Sequence, residues 1–282
     1  MHKASFYLKK ENEIVKCELC PNKCVLKVNK IGKCMVRKNI DGELYNLSYG
    51  KISSMSLDPI EKKPIYQYKP KSKVYSIGSY GCNFTCDFCQ NHHIAQNKPK
   101  TIYMSPEDVI KKAKEKKDNI GIAYTYNEPL INFEFIYDCS KLAKDNNLDN
   151  ILVTNGYINS KPLKKILPLI DAVNIDIKAF NNQFYKDICD GNLSVVKKNI
   201  KLAYEYTHVE LTLLLIDDLN TNKEELKKLF QWIGRIDKNI VLHITRYFPC
   251  YKMKKPKTKM KTLLDAYTEA KKYLNNVFLG NV

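Results

Sequence analysis

No apolar run in this chain approaches the roughly 20 residues that a bilayer-crossing helix needs. The longest, Leu211 to Ile216, is the size of a strand. Met1 to Lys10 hold no hydrophobic core followed by small residues, so no secretion signal is legible and a cytoplasmic protein is expected. Arginine is scarce: Arg37, Arg235 and Arg246 stand among 47 basic residues, and the rest of the positive charge is lysine spread along the chain. Specific nucleic-acid sites usually add the planar arginine fork to lysine. The net charge of +17 therefore reads as a solvated lysine surface, and neither a nucleic-acid partner nor a membrane is expected. Disorder is excluded as well, because 44% of the residues are hydrophobic and 11% aromatic.

Cysteine, by contrast, is plentiful. Ten cysteines in a chain expected in a reducing compartment point to metal or redox chemistry, since disulfides are disfavoured there. Seven fall into two groups, Cys17, Cys20, Cys24 and Cys34 in one, Cys82, Cys86 and Cys89 in the other. Cys139, Cys189 and Cys250 stand alone and read as buried thiols.

Two regions are expected. Residues 1–70 lack helical periodicity, carry the first cysteine group and end in a proline-rich stretch from Asp58 to Pro70. Residues 71–282 alternate strands with helices. Strand-like runs occur at Val74–Gly78, Ile120–Thr125, Ile151–Thr154, Ala172–Ile177, Val209–Leu215 and Ile240–Ile244, with a last short one at Val277–Leu279. Ser105-Pro106-Glu107-Asp108 is a helix start, and Thr221-Asn222-Lys223-Glu224 reads as a capping box. A final helix is expected from about Thr262 to Leu274. Successive β–α units imply a parallel sheet, because parallel neighbours need a crossover helix. Open doubly wound, full-barrel and partial-barrel forms all satisfy that pattern, and six units fit a partial (βα)6 TIM-like barrel best. In each form ligands bind at the carboxyl ends of the strands, so functional residues should fall just after strands.

The second cysteine group passes that test. Gly81-Cys82-Asn83-Phe84-Thr85-Cys86-Asp87-Phe88-Cys89 directly follows the first strand of the series. Three thiolates at this C-x3-C-x2-C spacing suit three irons of a [4Fe–4S] cubane, leaving the fourth iron open to a chelating ligand. The bland alternative is a zinc loop completed by His92 or His93. Other strand ends carry Tyr126-Asn127-Glu128-Pro129, Thr154-Asn155-Gly156, Asp176-Ile177-Lys178, and the segment from His243 through Arg246. Asp176 and Lys178, two apart, point to one face, where they act on a ligand or merely neutralise each other. A lone strand histidine such as His243 is commonly a satisfied core residue. The four thiols of the first group are enough to saturate either a zinc ion or an auxiliary iron–sulfur cluster.

The cysteine loop, with the aromatic Phe88 before its third cysteine, resembles the defining motif of the radical S-adenosylmethionine (SAM) superfamily. That resemblance implies SAM on the open iron, reductive cleavage to a 5′-deoxyadenosyl radical, and an electron donor such as flavodoxin or ferredoxin. It places Phe88, Tyr126, Asn127, Glu128, Thr154, Asn155 and Asp176 at the cofactor and Lys178 by the substrate; His243 and Arg246 join Lys178 as candidate catalytic residues from their place at a strand end. Tyr126-Asn127-Glu128-Pro129 looks like the superfamily's Gly-Gly-Glu-Pro element with both glycines replaced. Val153 stands where pyruvate formate-lyase activating enzyme carries an acid for a monovalent cation, a departure that argues against such a cation here.

A longer series covers the chain: Cys17-x2-Cys20-Pro21-x2-Cys24, Gly32-x-Cys34-x-Val36-Arg37, Asp58-Pro59-Ile60-Glu61-Lys62-Lys63-Pro64, Tyr124 to Pro129, Asn174-Ile175-Asp176 and Arg246-Tyr247-Phe248-Pro249. In this order they resemble the AmmeMemoRadiSam enzymes, relatives of pyruvate formate-lyase activating enzyme, and imply AMMECR-type and Memo-type proteins as partners. Those enzymes continue past the position of Val282 into a short cysteine-containing tail, so a short form or a truncated chain is expected. A glycyl-radical activase is the alternative. Its usual ferredoxin-like insert after the cluster motif is missing, since only fifteen residues separate Cys89 from Ser105.

Overall fold

The computed structural model describes residues 1–282. The N-terminal region is built of short antiparallel strands. One small sheet pairs His2–Lys3 and Arg37–Ile40 with Glu43–Asn46, and a second pairs Tyr7–Lys9 and Val25–Leu26 with Val15–Cys17. Strands this short carry no readable periodicity.

The main sheet has eight strands: β1 (Ser54–Pro59), β2 (Lys73–Gly78), β3 (Asn119–Tyr124), β4 (Asp149–Thr154), β5 (Ala172–Asp176), β6 (His208–Leu215), β7 (Val241–Arg246) and β8 (Val277–Gly280). Strands β2 to β8 are parallel and neighbour one another in chain order, and β1 adds an antiparallel edge beside β2. Six crossover helices join them: α1 (Pro106–Lys114), α2 (Phe133–Asp145), α3 (Ser160–Ile166), α4 (Leu193–Tyr204), α5 (Lys223–Gly234) and α6 (Met260–Ala270). A doubly wound sheet requires the strand order to reverse. Here it never does, so right-handed crossovers stack every helix on one face and the sheet curls around the other as an open partial barrel.

Local rules explain the helix starts. Ser105 accepts from the Asp108 amide at 3.1 Å while Asp108 accepts from the Ser105 amide at 2.9 Å, with Pro106 at the first helical position. The expected Thr221 capping box does not form. Asn222 caps α5, its Oδ1 accepting from the amides of Glu224 and Glu225 at 3.0 and 3.1 Å. One residue nearer the helix, the asparagine reaches two orphan amides, and Thr221 instead accepts from the Asp218 amide.

Two long-range contacts position the site. Inside the curl, Ile60 and Ile65 from the β1–β2 connection pack on Val74, Ala123, Ile151 and Ala172, one residue from each of β2 to β5. The N-terminal region is pinned by a buried ion pair: Arg37 Nη1 donates to Glu134 Oε1 at 2.9 Å, with side chains 1% and 5% exposed. Arg37 Nε and Nη2 also donate to the Ile131 carbonyl at 3.0 and 2.9 Å, and Asn46 donates to the other Glu134 oxygen at 2.9 Å.

Candidate functional site

The loop carrying Cys82, Cys86 and Cys89 leaves β2 through a crowded passage. Gly81 holds φ at +86°, and a Cβ there would lie 2.3 Å from the Cys34 carbonyl oxygen. Only glycine fits. Asn127 at the end of β3 accepts from the Ser79 amide at 3.1 Å and donates to the Gly81 carbonyl at 2.9 Å. Asn22 of the N-terminal region donates to the Asn83 carbonyl at 2.9 Å. Further along, the amides of Thr85 and Asp87 donate to the carbonyls of Cys189 and Ile188, each at 3.1 Å. The loop is therefore held from three sides before any cofactor enters.

All three thiols line one cleft of about 390 Å³ at the carboxyl ends of the strands. Phe88, Tyr126, Asn127, Glu128, Thr154 and Asn155 line it too, as do Asp176 and Lys178. Two expected residues are not brought there. His243 lies in mid-strand, buried, with Nε2 2.6 Å from Glu210 Oε2. Glu210 also meets His208 at 2.9 Å and accepts from the Tyr66 and Gln67 amides. Burial works against charge on Glu210, yet these partners bring its pKa down to about 2. His243 is thus a satisfied core residue. The signal for it was Glu210 itself, a lone acid inside the apolar run from Val209 to Leu215. Arg246 donates Nε to the Thr258 carbonyl at 2.7 Å and lies over the Phe248 ring, away from the cleft.

Residues that do reach the cleft are committed in ways their spacing did not reveal. Glu128 is buried and accepts from the Leu130 amide (3.0 Å), the Thr154 hydroxyl (2.8 and 3.0 Å) and the Asn155 amide (2.8 Å). Burial lifts its pKa to about 7 against the pull of those donors. Asn155 donates its Nδ2 to Asn83 Oδ1 at 2.9 Å and to Cys82 Sγ at 3.7 Å, so its amide serves the cysteine loop. Tyr126 sits at φ +72° with its carbonyl accepting from Asn91 at 2.7 Å and its hydroxyl donating to Asp58. Lys63, 2.8 Å from Asp58 and 4.7 Å from the Tyr126 ring centre, also lines the cleft; it belongs to a quoted motif but had been given no role. Asp176 pairs Oδ2 with Lys178 Nζ at 2.6 Å, and its side chain stays 34% exposed, the more accessible acid of the site. Burial opposes charge on Lys178, but Asp176 and Cys86 hold its pKa above the usual lysine value.

No three His, Cys, Asp or Glu side chains converge on a point that a single metal ion could occupy. His92 instead places Nδ1 3.2 Å from the Cys89 carbonyl and stacks on Tyr251. The donor set fits a cubane: three soft thiols line one cleft and would take three of its irons, leaving the fourth without a protein ligand. Burial raises the Cys82 thiol and carries Cys89 to about 11, while Cys86 is raised first by its bond with Cys189 and then by burial. Such thiols ionise when a metal charge compensates them.

Residues 76–233 match the model of the radical SAM superfamily. An uncharacterized protein of Methanocaldococcus jannaschii is 40% identical over the full length of this chain, which covers 86% of it. The pyruvate formate-lyase-activating enzyme of Clostridium pasteurianum is 28% identical over 55% of this chain and 67% of its own length. Among solved structures, a domain of the pyruvate-formate lyase-activating enzyme from Bacteroides vulgatus superposes with a TM-score of 0.50 at 16% identity, over 57% of this chain and 99% of that domain; the likeness is one of fold.

Proposed function

This chain belongs to the radical SAM superfamily, and from that premise we propose that Cys82, Cys86 and Cys89 hold the SAM-cleaving [4Fe–4S] cluster of an AmmeMemoRadiSam-type enzyme that abstracts hydrogen from an unidentified substrate. When bound, the cluster supplies the low-potential electron that breaks the S–C5′ bond of SAM, and the 5′-deoxyadenosyl radical takes a hydrogen atom from the substrate. The observation that carries the reading is the meeting of three thiols and two carboxylates, Glu128 and Asp176, in one cleft at the strand ends.

The chain's own residues divide the work. Asp176, with its exposed carboxylate, attracts the ammonium and sulfonium charges of SAM. Glu128 fixes the ends of β3 and β4 through Thr154 and Asn155 and adds negative charge beneath the cofactor. Tyr126 and Asn127 shape that wall, and Phe88 covers the loop, 5.8 Å from Lys178 Nζ. Lys178, steadied by Asp176, is the cation that a substrate carboxylate or backbone carbonyl would meet. His243 and Arg246 have no place in this scheme. Flavodoxin or ferredoxin supplies the electron, AMMECR-type and Memo-type proteins are the partners, and the reaction belongs in the cytoplasm, where ten free cysteines persist.

Anaerobic reconstitution followed by dithionite and SAM tests the core claim. Cluster-loaded protein should yield 5′-deoxyadenosine and Cys86→Ala none; a fully loaded cluster that yields none would refute it. Likeness to the pyruvate formate-lyase-activating enzyme favours a second reading, activation of a glycyl-radical enzyme. It predicts a glycyl-radical doublet in electron paramagnetic resonance when such an enzyme is supplied with the activated chain.

A further inference from the structure

The connection between β7 and α6 has no part in the proposed reaction, and its charge is one-sided. Seven basic residues and no acidic one stand between Asn239 and Leu264, and four of the seven are Lys252, Lys254, Lys255 and Lys257. The connection is tied down at its base and at its tip. Arg246 Nε donates to the Thr258 carbonyl at 2.7 Å, and the Thr258 amide donates to the Tyr247 carbonyl at 3.2 Å. At the tip, the buried Met253 accepts from the Tyr247 hydroxyl at 2.9 Å and bridges back to Cys250 in a tight turn.

That turn lies directly on the cysteine loop. The amides of Lys252 and Met253 both donate to the Asp87 carbonyl at 3.0 Å. Cys250 Sγ lies 3.6 Å from the Cys89 carbonyl oxygen, and Tyr251 stacks on His92 with ring centres 4.6 Å apart. The thiols of the loop line the cleft, but no residue from Cys250 to Lys257 does, so the turn meets the loop from outside the cleft. Its positive charge is barely neutralised. Lys252 stands 3.9 Å from Asp87 and Lys255 3.3 Å from Asp218, loose contacts of partly exposed side chains that contribute little. Lys254 and Lys257 are exposed and form no ion pair.

We infer that the Cys250–Lys257 turn is the docking surface of a small acidic one-electron carrier, of the flavodoxin or ferredoxin kind. The inference rests on the proposed cluster at Cys82, Cys86 and Cys89. SAM and substrate would fill the cleft, so a protein reductant must reach the loop from outside it, where this turn stands. Lysines around such a seat attract and orient a negatively charged partner, and act more on encounter than on the tightness of the complex. One electron leaves the reduced carrier and enters the cluster; the carrier is oxidised by one, the cluster is reduced by one, and no atom is transferred. Nucleic acid fits less well, because the four cations of the turn are lysines and base recognition favours the arginine fork.

Cluster-loaded Lys254→Glu/Lys257→Glu tests the assignment. Calorimetry at low ionic strength should find oxidised flavodoxin bound about tenfold more weakly than by the wild type. In about 1 M salt, where charges are screened within roughly 3 Å, the difference should vanish. Reduction of the cluster by reduced flavodoxin, followed by electron paramagnetic resonance of freeze-quenched samples, should slow about tenfold as well. Reduced methyl viologen, a small cationic donor that needs no seat, should reduce both proteins alike. Lys111→Glu/Lys114→Glu, the same charge change on α1, should leave flavodoxin binding and reduction near wild type. Unchanged flavodoxin binding and reduction in the turn variant, or an equal loss in the α1 variant, overturns the inference. So does equal slowing with viologen, which would show that the turn only braces the loop. A short single-stranded RNA held by the wild type and lost by the turn variant, with flavodoxin unmoved, overturns it in favour of nucleic acid. Reduced protein that forms no 5′-deoxyadenosine from SAM would refute the proposed reaction instead, and flavodoxin binding is read independently of that outcome.

Discussion

Replacing Asn155 with Ala separates what the structure shows from what the motif implied. By resemblance, Asn155 touches SAM; in the structure its amide donates to Asn83 Oδ1 at 2.9 Å and to Cys82 Sγ at 3.7 Å. Cys82 Sγ also accepts from the Phe84 amide at 3.4 Å, so the substitution removes one of two N–H donors on that sulfur. A hydrogen bond to a charged group contributes about 1.5–3 kcal/mol. The extra electron of the reduced cluster spreads over all its irons and sulfides, so about 1 kcal/mol of that is felt differently by the two oxidation states. For one electron, 59 mV is a tenfold change or about 1.4 kcal/mol, which makes the expected shift about 40 mV. The sign is fixed: donors favour the more negative, reduced cluster, so Asn155→Ala moves the midpoint potential downward. An anaerobic redox titration followed by electron paramagnetic resonance reads it directly. Asn155→Asp, which brings a charge instead of a donor, should move it at least as far. An unchanged potential together with weaker SAM binding would refute the assignment and restore the direct contact.

Arg37→Met should cost about 3–5 kcal/mol, because it strands Glu134 as a buried charge and orphans the Ile131 carbonyl; adding Glu134→Gln should recover part of the lost melting temperature. Glu128→Gln should weaken SAM binding about tenfold, seen by calorimetry, with iron content kept; equal loss of both rejects its role at the cofactor. Because burial lifts the Glu128 carboxyl to about 7, wild-type SAM affinity should fall as pH drops through 7, and the Gln variant should lack that dependence. Glu210 titrates the other way. Its folded pKa of about 2 lies below the 4.5 of a free carboxyl, so its contribution, about 3 kcal/mol, is complete above 4.5 and lost as pH falls toward 2. Thermal melts across that window should be flatter for Glu210→Gln; parallel curves would show that the Glu210 carboxylate carries no pH-dependent stability.

The βα series was legible because parallel strands buried on both faces appear as continuous apolar runs, such as Leu213 to Ile216. A partial barrel of six units was the expectation; that the strands follow one another without reversal, so that the helices stack on one face, is a property of the whole sheet that no single strand encodes. That Cys82, Cys86 and Cys89 would share one cleft was legible from their spacing and their position after β2. Their supports were not. Asn155 and Cys82 lie 73 positions apart, and Arg37 and Glu134 are 97 apart, so the fold alone decides that they meet. His243 shows the reverse error. Its place on the last long strand suggested chemistry, but it lies one layer deeper than Thr245, which lines the cleft on the same face, and meets Glu210 there. The N-terminal strands, two to four residues each, fell below what periodicity detects.

The Thr85 and Asp87 amides find their acceptors only at Cys189 and Ile188, 104 and 101 positions farther along the chain. A nascent polypeptide leaving the ribosome therefore exposes Cys82, Cys86 and Cys89 long before the carbonyls that brace them exist. Iron delivered to that early stretch would sit on an unsupported, oxidisable ribbon. On the proposed reading, cluster insertion is expected to follow synthesis of the complete chain.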